Sequence, residues 1–209
     1  MCWSATADLT AGICISAIGA VCVARVPRIR DLPLAALPLL LGAHQIVEAV
    51  VWDSGGGAGP ATTAWAVIAM PLLALWVPLA VLVASAPGSR RRLAVPLVSG
   101  VATSAALAYY LATREVTADI RGHTIGYAVH LPRPGIVVAA YLLATIGALL
   151  LAADRTVRLL GMLVAVGAVI CAVIWRMEFV STWCAFAALS SIVVLRWAWR
   201  RPGAPGPAV

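Results

Sequence analysis

Apolar residues fall into seven stretches, each near the roughly 20 residues that a helix needs to cross a bilayer: 5–24, 33–52, 64–86, 93–112, 135–153, 157–175 and 179–197. Polar punctuation separates them. Arg28-Ile29-Arg30-Asp31 closes the first, Ser54-Gly55-Gly56-Gly57 follows the second, and Pro87-Gly88-Ser89-Arg90-Arg91-Arg92 follows the third. The pattern predicts an all-α integral membrane bundle of seven transmembrane helices, forming one domain over residues 1–201. Residues 202–209, rich in Pro and Gly, read as a disordered tail. Pro33, Pro38, Pro71, Pro78 and Pro96 lie in or beside these stretches. Neighbouring helices tolerate such kinks, and a kinked helix leaves room for a cavity. No internal repeat is visible, so an inverted-repeat carrier has no support.

Composition strengthens this picture. The chain is 63% hydrophobic and only 11% charged, whereas a soluble domain carries about 25% charged residues. All fifteen basic residues are Arg, which together with heavy Ala, Gly, Val and Leu usage points to a GC-rich bacterial genome. The net charge of +7 does not imply nucleic acid, because no basic patch is interleaved with stacking aromatics. The arginines instead lie at the ends of the apolar stretches and set topology. Eleven flank one side and four (Arg114, Arg121, Arg133, Arg176) the other, which places the N-terminus outside and the C-terminus in the cytoplasm. The expected location is the bacterial cytoplasmic membrane, as a multi-pass protein. No basic segment precedes the first stretch, so that helix is expected to remain in the mature protein.

With this topology the chemically capable residues gather on the outer side. Glu48 lies inside the apolar run Leu32–Trp52, with His44 one turn before it and Gln45 between. An ionisable side chain within a spanning helix costs roughly 2.5 kcal/mol or more and usually marks function. His44, Glu48 and Trp52 recur every four residues and share a helical face. In the loop 113–134, His123, Tyr127 and His130 would share a face if that loop were helical. A carboxyl group in low dielectric keeps its proton more readily and can give it up as a general acid, with a neighbouring His orienting it or shuttling the proton. Glu48, His44 and His123 are therefore the candidate catalytic residues, and Trp52, Tyr127, Trp183, Gln45, Trp3 and Glu178 the candidate substrate-binding ones. The plainer readings are an interhelical hydrogen bond for Glu48, a packed histidine for His44, and an aromatic belt for the tryptophans. No cofactor is expected, although a metal ion held by His44, Glu48 and His123 is chemically possible without any recognised ligand spacing. Cys2 and Cys184, both expected outside, are able to pair as a disulfide or stay as thiols. Cys14, Cys22 and Cys171 read as small packing residues.

The opening Met1-Cys2-Trp3-Ser4-Ala5, the stretch Pro38–Glu48, Gly122-His123 and Phe179-Val180-Ser181-Thr182-Trp183-Cys184 resemble an uncharacterised family of small seven-span bacterial membrane proteins. That resemblance spans nearly the whole chain and implies no activity; Ala49 stands where that family has Gly. A second, architectural similarity is to seven-span membrane terpene cyclases. It implies an acid that protonates an epoxide or alkene, a role Glu48 would fill, with Trp52 stabilising the cation and Glu178 as the second acid. Seven-span zinc hydrolases of ceramide-like lipids need two histidines on the last span, where this chain has none. The expected function is an intramembrane enzyme acting on a lipid-like or isoprenoid substrate by acid/base chemistry, as in cyclisation or isomerisation. Its expected partners are membrane lipid and a hydrophobic small molecule. The alternative is a non-enzymatic sensor, transporter or metal-binding protein using the same His, Glu and Cys residues.

Overall fold

A computed structural model describes residues 4–129, 131–174 and 179–201. These form seven helices, α1 Ala5–Arg25, α2 Ile29–Asp53, α3 Pro60–Ala84, α4 Pro87–Thr113, α5 Pro134–Leu150, α6 Arg155–Ile174 and α7 Phe179–Trp199. All seven lie within a few residues of the apolar stretches. Four of them, α1 to α4, are long and apolar enough to cross a membrane, and α5 is shorter.

The α1–α2 pair is held together by the absence of side chains. A methyl group at Gly42 would strike Ser16 Oγ and stand 2.8 Å from the Gly12 carbonyl, while one at Gly19 would stand 2.6 Å from the Leu39 backbone nitrogen. In lipid there is no hydrophobic force between helices, so close backbone approach through small residues supplies the attraction. This seam aligns the start of α1 with the end of α2. Ser4 caps α1 by accepting from the Ala7 N–H at 3.2 Å, and Asp8 in the first turn is fully buried.

Two helices change their winding. α3 contains a π segment at Ile68–Leu72 around Pro71, and α5 contains one at Leu143–Gly147. Proline removes an N–H from the helical ladder, and an inserted residue is one way to absorb the loss. The Tyr141 hydroxyl donates to the Ala69 carbonyl at 2.6 Å, which ties the π segment of α3 to α5. Ser99 donates to the Ala140 carbonyl at 2.9 Å and ties α4 to the same helix.

Between α4 and α5 the described residues are not helical. Thr117–Arg121 (β1) and Thr124–Ala128 (β2) form an antiparallel hairpin with Arg121 opposite Thr124, closed by Gly122 and His123. Gly122 has φ +62°, a conformation that suits glycine in a two-residue hairpin turn. The helical face expected for His123 and Tyr127 is corrected accordingly, because His123 sits in the turn and Tyr127 in β2, and His130 lies outside the described residues. The Gly55-Gly56-Gly57 turn docks beneath β1. Gly57 exchanges two backbone hydrogen bonds with Ala118, at 2.7 and 3.0 Å. All three glycines have φ near +76°, and a methyl at Gly56 would meet the Ala118 carbonyl at 2.6 Å.

At the opposite end of the bundle, Asp31 is fully buried at the start of α2. Arg201, just after α7, lies 3.9 Å from Asp31 and 3.8 Å from Asp154, and stacks 4.4 Å over Trp197. Asp154 also caps α6, accepting from the Thr156 N–H at 2.8 Å.

Candidate functional site

A cavity of about 230 Å³ opens between α2, α3 and α5, with Leu107 of α4 and Ala187 of α7 completing its wall. The wall surface is mostly apolar, and the side chains with polar atoms are His44, Gln45, Trp65, Tyr141 and Thr145. Half-exposed Val138 marks its rim. Both π segments contribute, through Ala69 and Met70 on one side and Thr145 on the other. A smaller hollow of about 70 Å³ adjoins it, between Leu149, Leu160 and Ser190. The two share Leu41, Leu73, Tyr141, Thr145 and Ala187, so one wall serves both.

His44 and Trp65 form the polar corner. Their ring centroids stand 5.0 Å apart, and Tyr127 from the hairpin stacks on Trp65 at 3.4 Å, with only 5° between planes. The hairpin therefore closes that end of the cavity through an aromatic layer. His44 Nε2 and Trp65 Nε1 are both buried and make no hydrogen bond. An unsatisfied buried polar atom costs about 1–3 kcal/mol, and here two stand together beside open space. Thr145 and Tyr141, by contrast, are committed: Thr145 Oγ1 donates to the Tyr141 carbonyl at 2.8 Å, and the Tyr141 hydroxyl to Ala69.

Behind this corner lies a second layer. Glu48, one turn beyond His44, is fully buried and is not part of the cavity wall. Trp52, a further turn on, donates its indole N–H to Asp8 Oδ2 at 2.9 Å. Two carboxyl side chains are thus buried at this end of the bundle, Glu48 from α2 and Asp8 from α1.

The candidate residues divide three ways. His44 and Gln45 line the cavity; Glu48, Trp52 and Tyr127 support it from behind or above. His123 stands exposed at the hairpin tip. Among the described residues no three His, Cys, Asp or Glu side chains gather closely enough to hold a metal ion. The set His44, Glu48 and His123 is therefore not assembled, because the turn carries His123 out into solvent. Trp3, Glu178, His130, Trp183, Cys2 and Cys184 lie outside the residues or side chains described. Cys22 and Cys171 are buried as expected, but Cys14 is exposed on α1. Trp65, Tyr141 and Asp8 are additions. Trp65 reads in the sequence as one more belt tryptophan, and Asp8 as an ordinary first-turn acid of the kind that favours a helix N-terminus.

These features are those of a helical membrane protein with an interior cavity near one end of its bundle. The chain belongs to a family of unknown function, DUF6629, whose model matches residues 1–208. Membership agrees with the uncharacterised family expected from the opening Met1-Cys2-Trp3-Ser4, and lends nothing to a terpene cyclase. No curated protein and no solved structure matches the chain.

Proposed function

We propose that this is a seven-span protein of the bacterial cytoplasmic membrane, N-terminus outside, that takes a lipid-like or isoprenoid molecule into the cavity and acts on it by acid/base chemistry. One observation carries the reading: a mostly apolar cavity of about 230 Å³ whose polar corner is a buried histidine with no hydrogen bond of its own on Nε2. Apolar pockets with a few convergent polar groups are the usual form of a small-molecule site. His44 is the group placed to exchange a proton with the guest. Glu48, buried one turn behind it, acts as a positioning residue and not as the acid that meets substrate.

The seven apolar stretches and the Arg distribution of eleven against four support the topology. A purely binding role for the same cavity is favoured by the absence of Glu48 from the cavity wall. The two readings separate in one experiment. Purified protein is incubated with a bacterial lipid extract, and bound and converted species are read by mass spectrometry, beside His44→Gln, Glu48→Gln and Leu73→Trp, the last filling the wall shared by both hollows. Conversion lost in His44→Gln and retained in part in Glu48→Gln supports the enzyme; retention without conversion supports the binding protein. Equal lipid retention by wild type and Leu73→Trp would remove both.

A further inference from the structure

Resting on the lipid-site reading above, we infer that the guest is a single apolar chain with a neutral, oxygen-bearing head, its head against His44 and Trp65 and its tail in the smaller hollow. The head is assigned by what the walls offer. None of the described residues lining either hollow is Arg, Asp or Glu, and the chain has no Lys. A phosphate or carboxylate head would be buried without a counter-charge, an arrangement proteins avoid. Trp65 Nε1 is a donor only, so it calls for an acceptor such as a carbonyl or hydroxyl oxygen. His44 Nε2 is able to complete a second hydrogen bond to the same head. Neither ring has an internal bond on these nitrogens to surrender when the guest enters.

The tail is assigned by shape. Along α5 the wall of the two hollows runs from Val137 to Leu149, roughly 18 Å at the helical rise. Beyond the shared residues the smaller hollow offers about 70 Å³, room for one chain and not for the two of a diacyl lipid. A linear acyl or prenyl chain fits this path.

The test uses the full chain in nanodiscs, titrated with geranylgeraniol, a long-chain quinone, geranylgeranyl diphosphate and the ten-carbon alcohol geraniol. Geranylgeraniol or the quinone is expected to bind at least about tenfold more tightly than the diphosphate. The tighter of the two then tells a hydroxyl head from a carbonyl one. Trp65→Phe and His44→Phe are each expected to weaken the neutral probe by about fivefold, the worth of one hydrogen bond. Ser190→Phe, filling the smaller hollow, is expected to weaken geranylgeraniol at least about tenfold and to leave geraniol unchanged. The wild-type comparison of alcohol with diphosphate needs no variant, so a variant that fails to fold does not shelter the inference. Diphosphate bound as tightly as the alcohol would overturn the neutral head, and equal effects of Ser190→Phe on both alcohols would overturn the tail. If none of the probes binds, the lipid-site reading itself falls.

Discussion

Trp52 and Asp8 meet across 44 residues of sequence through one hydrogen bond of 2.9 Å, with the carboxyl group shut away from solvent. Asp8→Ala should destabilise the protein by about 1–3 kcal/mol, because it strands the indole N–H. Asp8→Asn, which keeps an acceptor, should cost less. Thermal unfolding of the two variants in the same detergent checks the ordering, and equal losses would show that the bond contributes little. Nothing in the local sequence tells Asp8 from an exposed first-turn acid, since the partner that explains it lies on another helix. His44 and Glu48 were legible for the opposite reason: their cost in an apolar run is visible without knowing any neighbour. Their separation into cavity wall and supporting layer was not legible. Both fall on one helical face, and only the packing of α1 and α3 around α2 decides which of them meets open space.

At the level of elements, the glycine seam makes a sharp prediction. Gly42→Ala should cost roughly 1–3 kcal/mol, because its methyl meets Ser16 and the Gly12 carbonyl. Gly88→Ala, which meets nothing within 4 Å, should stay within about 0.5 kcal/mol. Chemical denaturation of the pair measures the difference. Gly56→Ala combines a positive φ with a clash against Ala118, so it should loosen the hairpin. Faster proteolytic cleavage between Arg114 and Thr124 than in wild type is the expected sign. The seven helices could be read from apolar length alone, whereas the hairpin could not be read from loop length. Its signals were present, in the alternating Val116, Ala118 and Ile120 and in the glycine opening a two-residue turn. They were outweighed by the helical spacing of His123, Tyr127 and His130.

The whole molecule concentrates its charges at two ends. The end that carries most of the arginines also buries Asp31 beside Arg201, which reaches Asp154 as well. Arg201→Ala should destabilise the bundle by about 3–5 kcal/mol by leaving Asp31 without its counter-charge, measured as a lowered unfolding midpoint. Orientation is checked by labelling single cysteines in a cysteine-free background. A membrane-impermeant maleimide should reach His123→Cys in intact cells and Ser89→Cys only after permeabilisation, and the reverse pattern would invert the topology. Arginine at the ends of apolar stretches is readable from sequence. The buried aspartate is not, because Asp31 looks like loop punctuation until α7 returns Arg201 to it. One further consequence follows from the paired changes of winding in α3 and α5. Each carries a surplus residue at the depth of the chamber, where the regular ladder of α-helical hydrogen bonds is interrupted. Those two turns should therefore be the places where the chamber wall yields first. Hydrogen–deuterium exchange should be faster over Ile68–Leu72 and Leu143–Gly147 than in the turns on either side, and uniform protection along both rods would show them to be fixed.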